Sequence, residues 1–201
     1  MKICCIGRNY VAHAKELGNE VPTDPVVFLK PDSALVEGEQ STFVYPNFTK
    51  DLHYECELVL RVNKPVKNVS TTEALTCIDA ITAGIDFTAR DVQQQLKTKG
   101  LPWEKAKGFD QSAIVGKWMP MPASTPILFS LVKNGVKVQQ GTTENMIFNF
   151  ATIISHISQY FTLQPGDLIF TGTPEGVGPV AQGDLLEGFI GNEKMFTLQV
   201  K

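Results

Sequence analysis

Short β-prone runs, interrupted by glycine, proline and asparagine, limit the fold of this chain more than any other feature. Strands are expected over residues 2–6, 26–30, 55–62, 78–87 and from 168 onward. A hairpin is expected over 127–140, because Asn134-Gly135 supplies the positive-φ residues of a tight turn. Helices are expected over residues 10–17, 70–77, 88–98 and 149–161. Since helices and strands do not alternate regularly, the sequence predicts a mixed α+β, mostly β fold.

Length, charge and cysteine content limit the class of protein. The 201 residues suit one domain spanning 1–201, and the net charge of -3 without a basic run argues against a nucleic-acid partner. No apolar run approaches the roughly 20 residues that span a bilayer, and the opening MKICCIGRNY is too short for a signal-peptide core. The four cysteines form no C-x-x-C pair. We therefore expect free thiols in a cytoplasmic protein.

Three carboxylates mark a candidate site. Glu55 and Glu57 alternate on one strand and share a face, which is either an exposed polar face or one side of a cation site. Asp86 lies in an apolar run that should be buried, where a carboxylate needs a cation or several donors. An all-oxygen set of this kind suits Mg²⁺, Mn²⁺ or Ca²⁺ rather than Zn²⁺.

Six short motifs extend this pattern along nearly the whole chain. They are Gly7-Arg8-Asn9-Tyr10-x-x-His13-x-x-Glu16, Phe28-Leu29-Lys30-Pro31, Tyr54-Glu55-Cys56-Glu57-Leu58, Asp86-x-Thr88-Ala89-Arg90-Asp91, Gly100-Leu101-Pro102-Trp103 followed by Lys107, and Thr171-Gly172-Thr173-Pro174-x-Gly176-Val177-Gly178. In this order they resemble the fumarylacetoacetate hydrolase family, and most of all its short single-domain acylpyruvases and oxaloacetate decarboxylases or tautomerases.

The resemblance implies a β-roll fold with short helices and a homodimer. It implies Mg²⁺ or Mn²⁺ held by Glu55, Glu57 and Asp86. It also implies a mobile N-terminal lid helix, within about residues 8–24, that carries His13 and Glu16.

His13 and Glu16 stand at i and i+3, so on a helix they share a face. Such a pair can orient and deprotonate a water molecule, whereas the alternative is an exposed helix with two ordinary polar residues. Arg90 and Gln93 have the same spacing. They are either surface residues or, respectively, a fork for a substrate carboxylate and an amide donor to a substrate oxygen.

Two further candidate site residues, Lys107 and Thr173, lie in these motifs. The resemblance selects Lys107, in an expected loop, over Lys105 as the lysine near the metal. Thr173 lies in a Gly-rich segment that is neither G-x-G-x-x-G nor a P-loop, so a nucleotide site is not expected. Its hydroxyl and the neighbouring N–H groups are candidates for binding a carboxylate.

The function implied is that of a metal-dependent hydrolase or lyase acting on small 2-oxo acids. It would cleave acylpyruvates such as fumarylpyruvate or acetylpyruvate, or decarboxylate oxaloacetate, through a metal-stabilised pyruvate enolate. The alternatives on the same site are an isomerase or tautomerase, of 2-hydroxyhepta-2,4-diene-1,7-dioate or oxaloacetate type, and a sugar-acid dehydratase. A non-catalytic 2-oxo acid binding module is disfavoured, because no partner domain or DNA-binding motif is present to transmit its signal.

Overall fold

The computed structural model describes residues 1–16, 18, 20–123 and 126–201. Its strands, in chain order, are β1 (Ile3–Gly7), β2 (Val26–Lys30), β3 (Leu35–Glu37), β4 (Gln40–Phe43), β5 (Leu52–Tyr54), β6 (Cys56–Val62), β7 (Ile78–Asp86), β8 (Thr88–Ala89), β9 (Ala113–Val115), β10 (Met119–Pro120), β11 (Leu128–Lys133), β12 (Val136–Thr142), β13 (Leu168–Phe170), β14 (Gly178–Pro179), β15 (Leu185–Ile190) and β16 (Glu193–Val200). Its α-helices are α1 (Val11–Glu16), α2 (Arg90–Thr98), α3 (Glu104–Lys107) and α4 (Phe150–Tyr160). Short 3₁₀ turns cover Asp32–Ala34, Ala74–Cys77 and Thr143–Asn145.

An eight-stranded mixed sheet forms the centre of the molecule. Its order is β2-β1-β13-β6-β7-β9-β3, with β10 pairing to β7. Strand β13 comes late in the chain, yet it lies between β1, to which it runs parallel, and β6, to which it runs antiparallel. A five-stranded sheet in the order β12-β11-β15-β16-β4 and a three-stranded sheet in the order β14-β5-β8 complete the fold.

Apolar side chains cover both faces of the central sheet. Cys4 and Cys5 alternate on β1 and point into different buried clusters. The larger cluster lies between the sheets and includes Phe43, Phe129 and Phe196. Because the neighbouring strands β6 and β7 are nearly all buried, any polar residue at their adjoining ends is also withdrawn from water. This is where the candidate site lies.

The predicted fold class is confirmed, since the chain is mostly β with short helices. Two of the predicted helices differ in detail. Over 70–77 only the 3₁₀ turn Ala74–Cys77 forms, and the Ser70 hydroxyl donates to the Glu73 side chain at 2.9 Å, whereas the predicted cap would accept from a backbone N–H group. Residues 88–89 form strand β8, which pairs with β5, so α2 begins at Arg90.

The predicted N-terminal helix is present as α1, and Gly18 follows it with a φ of 64°. The predicted lid range also contains Leu17 and Asn19, which lie outside the described residues. Within the residues that are described, no helix is both long enough and apolar enough to cross a bilayer.

Candidate metal centre and active site

The three candidate carboxylates meet where β6 and β7 adjoin. Glu55 directly precedes β6, Glu57 lies on it, and Asp86 ends β7. The backbone N–H of Asp86 donates to the carbonyl of Glu55 at 2.8 Å, so the two strand ends stay together. One oxygen of each carboxylate lies within 4.8 Å of the others. Glu55 is only 5% exposed and Glu57 only 1%, so the alternative of an exposed polar face is wrong.

Two glycines adjoin Glu57. Gly84 pairs with it across the sheet, and a Cβ at Gly84 would lie 2.5 Å from the carbonyl of Ile114. Gly172 has a φ of 96°, a conformation that side chains rarely allow. In this conformation its N–H donates to Oε2 of Glu57 at 2.7 Å. The second glutamate is therefore oriented by backbone rather than by a counter-ion.

Lys107 provides the main positive charge among the carboxylates. Its ammonium donates to Oε2 of Glu55 at 2.8 Å, to Oδ2 of Asp86 at 2.7 Å and to the hydroxyl of Thr88 at 2.6 Å. The residue ends the short helix α3, so the predicted loop is wrong at this point. The helix forms because the carbonyl of Trp103 accepts from the N–H groups of both Ala106 and Lys107.

Lys30 is a second buried lysine, which the sequence did not single out. It ends strand β2 with a fully buried side chain, and its Nζ lies 2.8 Å from Oδ1 of Asp86. It also donates to the carbonyls of Lys107 and Ser112 and to the Ser112 hydroxyl. Lys30 thus ties Asp86 to the segment that carries Lys107.

Arg90 lies at the start of α2 and is already engaged. Its guanidinium donates to Oε1 of Glu55 at 2.6 Å and to Oε1 of Gln93 at 2.9 Å, while its buried Nε has no partner among the described residues. The sequence predicted a fork for a substrate carboxylate, but two of the fork's nitrogens serve the protein. The amide nitrogen of Gln93 makes no hydrogen bond within the described part of the chain, so it can donate into the pocket.

The buried charges shift one another's pKa values. Burial opposes ionisation of Glu55, but Lys107 and then Arg90 outweigh it and hold the pKa of Glu55 well below its usual range. For Glu57, burial and the nearby Asp86 and Glu55 raise the pKa well above its usual range. Burial likewise opposes the charge on Lys107, yet Asp86 and Glu55 raise its pKa overall. Among the described residues, Lys30, Arg90 and Lys107 pair with Glu55 and Asp86 but not with Glu57, so a metal ion at the cluster would favour the ionised form of Glu57.

The three carboxylates fit a hard divalent cation. They are buried, they converge, and they offer only oxygen, which Mg²⁺ and Mn²⁺ prefer. Neither His nor Cys belongs to this cluster in the described residues. Glu55, Glu57 and Asp86 are thus the candidate ligands, as the sequence predicted.

His13 and Glu16 face each other on α1. His13 Nδ1 lies 3.2 Å from Oε2 of Glu16, and Oε1 of Glu16 accepts from the N–H of Gly176 at 3.1 Å. His13 is only 5% exposed and lines the same pocket as the three carboxylates. The alternative of two ordinary polar residues on an exposed helix is therefore wrong for His13.

Thr173 lines the pocket, but its hydroxyl is occupied. It donates to the carbonyl of Cys56 at 2.8 Å and accepts from the amide of Gln139 at 2.9 Å. The predicted binding of a substrate carboxylate by this hydroxyl would require breaking its bond to the carbonyl of Cys56, because a hydroxyl has only one hydrogen to donate. Thr173 instead fixes the Gly-rich segment against the strand that carries the glutamates.

The pocket is narrow, with a cavity volume of about 30 Å³. Arg8, which the sequence did not single out by itself, also lines it with a φ of 60°. For a residue with a Cβ this conformation costs about 1–2 kcal/mol. Lys97, on the last turn of α2, lines the pocket as well.

Fold and site together define an enzyme-like protein with a β-rich scaffold, a buried carboxylate cluster that fits a metal ion and a His–Glu pair beside it. The family described as fumarylacetoacetate (FAA) hydrolase, C-terminal, matches residues 2–199. The chain belongs to this family.

Three relatives show that members of this family carry the names of different enzymes. The chain is 44% identical over 191 residues to the mitochondrial oxaloacetate tautomerase oaa1 of Schizosaccharomyces pombe, covering 92% of this chain and 86% of that protein. The crystal structure of fumarylpyruvate hydrolase from Pseudomonas aeruginosa, in complex with Mn²⁺ and pyruvate, is 35% identical with a TM-score of 0.94, covering 100% of this chain and 89% of that one. The 2-hydroxyhepta-2,4-diene-1,7-dioate isomerase of Mycobacterium marinum is 37% identical with a TM-score of 0.85, covering 99% and 73%.

Proposed function

We propose that this protein is a Mg²⁺- or Mn²⁺-dependent enzyme that acts on small 2-oxo acids through their enol form, with the tautomerisation of oxaloacetate as its principal reaction. The observation that carries the proposal is the convergence, in one pocket, of three carboxylates with His13 and Lys107. The similarity to an oxaloacetate tautomerase supports the choice of reaction.

Glu55, Glu57 and Asp86 would hold the cation. A bound cation would supply a Lewis acid that stabilises negative charge developing on the 2-oxo oxygen of the substrate. The protein's own part is to hold the carboxylates in position. Lys107 and Arg90 keep Glu55 ionised, and the N–H of Gly172 orients Glu57.

Tautomerisation moves one proton. The C3–H bond breaks, an O–H bond forms on the 2-oxo oxygen, and no group leaves. His13 is the proposed base, because Glu16 pairs with its Nδ1 and leaves Nε2 as the nitrogen that accepts the proton. Gln93, with its amide nitrogen uncommitted, would donate a hydrogen bond to the oxygen on which charge develops.

Hydrolysis of acylpyruvates is the second candidate, favoured by the likeness to fumarylpyruvate hydrolase. There the same His13–Glu16 pair would take a proton from water instead of from C3. The attack of that water on the distal carbonyl releases a carboxylic acid and the enol form of pyruvate. Both reactions pass through an enolate, so both would use the metal centre. They differ in the group that gives its proton to His13, which is C3 of the substrate in tautomerisation and water in hydrolysis.

The test is turnover on oxaloacetate and acylpyruvate, monitored by enol absorbance, pyruvate and CO₂. Activity should vanish in excess chelator and return with Mg²⁺ or Mn²⁺. His13→Ala and Glu16→Gln should each lower turnover by about 10²–10⁴-fold at unchanged metal content, the usual contribution of general-base catalysis. Asp86→Asn should instead lower metal content and activity together. The matched control is Glu20→Gln, which changes an exposed glutamate four residues after Glu16 and should behave as wild type.

Full turnover in chelator would overturn the metal-dependent mechanism. Wild-type rates in both the His13 and Glu16 variants would overturn the role of the pair. A protein that hydrolyses acylpyruvate but leaves the keto–enol exchange of oxaloacetate at its spontaneous rate would make the second candidate the correct one.

A further inference from the structure

Two basic side chains line the pocket outside the carboxylate cluster. Arg8 follows strand β1, and Lys97 lies on the last turn of α2. Both are half-buried, so neither is simply a solvated surface charge. Within the described part of the chain, neither has an Asp or Glu oxygen within 4.0 Å, whereas Lys30, Arg90 and Lys107 all do. The pocket thus holds two cations that the protein does not itself neutralise.

Trp103 contacts both of the segments that carry these cations, at one corner of the pocket. The Lys97 ammonium lies 5.7 Å from the centre of the indole ring. A Cβ at Gly7, the residue before Arg8, would lie 3.9 Å from the same ring. Burial, followed by the charges of Arg8 and Arg90, lowers the pKa of Lys97, so an anion at this corner would relieve the repulsion.

The backbone holds Arg8 rigidly in an unfavourable conformation. Strand β1 fixes the chain before it, and Asn9 fixes the chain after it by donating to the carbonyls of Phe148 and Thr171 at 3.0 and 2.7 Å. Glycine would adopt the φ of 60° at Arg8 without strain, but it would bring no charge into the pocket. A strained cation in a binding pocket indicates that its side chain serves a ligand.

The position of Lys97 shows which part of a ligand it would meet. Arg90, Gln93 and Lys97 lie at i, i+3 and i+7 on one face of α2, so Lys97 is about 10 Å farther along the helix axis than Arg90. Arg90 contacts Glu55 at the carboxylate cluster. Lys97 is therefore displaced from the metal centre, toward the end of the ligand that does not bind there.

We propose that Arg8 and Lys97 form an anion subsite that binds the second carboxylate of a 2-oxo dicarboxylate, and that this subsite makes the enzyme select dicarboxylates over monocarboxylates. The 2-oxo end of this ligand rests on the proposed function, but the subsite itself rests on the two cations. Arg90 donates to Glu55 and would therefore hold that metal ligand in position. Arg8 and Lys97 would bind the distal carboxylate of the substrate.

Equilibrium binding tests the subsite without any turnover. Calorimetric titrations of the full chain, with and without Mg²⁺, would compare pyruvate with 2-oxoglutarate, which shares the 2-oxo acid end and adds a distal carboxylate. Wild type should bind 2-oxoglutarate at least tenfold more tightly than pyruvate. Arg8→Gln and Lys97→Gln should each reduce that preference by about tenfold, the loss expected for one charge-assisted hydrogen bond. Lys97→Arg should keep it.

The matched control is Lys99→Gln, which removes an exposed lysine two residues away and should leave the preference unchanged. A wild type that binds both ligands equally, or a preference that survives in both glutamine variants, would overturn the subsite. If the preference depends on Arg8 and Lys97 but oxaloacetate and acylpyruvate are not turned over, the subsite stands and the proposed function fails. If oxaloacetate or acylpyruvate is turned over but the preference for 2-oxoglutarate does not depend on Arg8 or Lys97, the proposed function stands and the subsite fails.

Discussion

Replacing Lys30 with methionine should destabilise the protein far more than the loss of an ordinary surface lysine. The Lys30 ammonium is fully buried, lies 2.8 Å from Oδ1 of Asp86, and donates to the Ser112 carbonyl and hydroxyl at 3.1 and 3.0 Å. Methionine fills similar volume but leaves a buried carboxylate with one fewer cation. Breaking a buried ion pair from one side costs about 3–5 kcal/mol. For a chain of this length, that corresponds to a fall in Tm of about 6–20 °C.

The assay is chemical unfolding in EDTA at fixed protein concentration, followed by tryptophan fluorescence and extrapolated to zero denaturant. Lys117→Met is the control, because Lys117 and Glu193 form an exposed pair at 3.0 Å that contributes at most about 1 kcal/mol. The double variant Lys30→Met/Asp86→Asn should lose less than the sum of its single variants, since the neutral amide no longer needs the cation. If Lys30→Met costs no more than Lys117→Met, the assignment of Lys30 as the clamp on Asp86 is wrong.

Three further predictions concern the rest of the chain. Amide exchange over residues 8–24 should slow when Mg²⁺ and oxalate, a mimic of the pyruvate enolate, are added, while α4 stays unchanged; equal exchange with and without them would remove the proposed lid. All four cysteines should resist Ellman's reagent at pH 8 in the native protein and react after unfolding, because they are buried and burial raises the pKa of the Cys4 thiol to about 12; fast native labelling would contradict this. The chain should scatter light as a homodimer of about twice 22.1 kDa, and the mass of one chain at micromolar concentration would refute that proposal.

The carboxylate cluster was predictable only in part from local geometry. Strand parity places Glu55 and Glu57 on one face, and an apolar run around Asp86 predicts a buried carboxylate that needs a cation or several donors. That parity also suits an exposed polar face, and it was the family resemblance that grouped the two glutamates with Asp86 as ligands. The hairpin at Asn134-Gly135 was predictable from local sequence alone, since a tight turn of this kind depends on two neighbouring residues, whose φ angles are 52° and 81°.

The partners of the cations were not predictable, because they come from distant parts of the sequence. Lys30 ends an apolar strand, where a lysine usually reaches solvent, and nothing nearby indicates that Asp86 lies across from it. Arg90 has the spacing of a substrate fork, but Glu55, 35 residues earlier, takes up part of its guanidinium. Arg8 has its strained φ next to Asn9, whose side chain donates hydrogen bonds to the carbonyls of Phe148 and Thr171, more than 130 positions away.

The place of β13 in the central sheet has a consequence for synthesis of the protein. Strands β1 and β6 are made early, but each pairs with β13 rather than with the other, so the sheet between them cannot close before residue 170 has left the ribosome. The side chain of Asn9 likewise cannot donate its hydrogen bond to the carbonyl of Thr171 until that residue has been synthesised. The emerging N-terminal part must therefore hold two unpaired strand edges for most of translation, which favours slow folding and a need for chaperones. A chain stalled before β13 should be sensitive to protease along β1 and β6, and release of the last strands should make both resistant together.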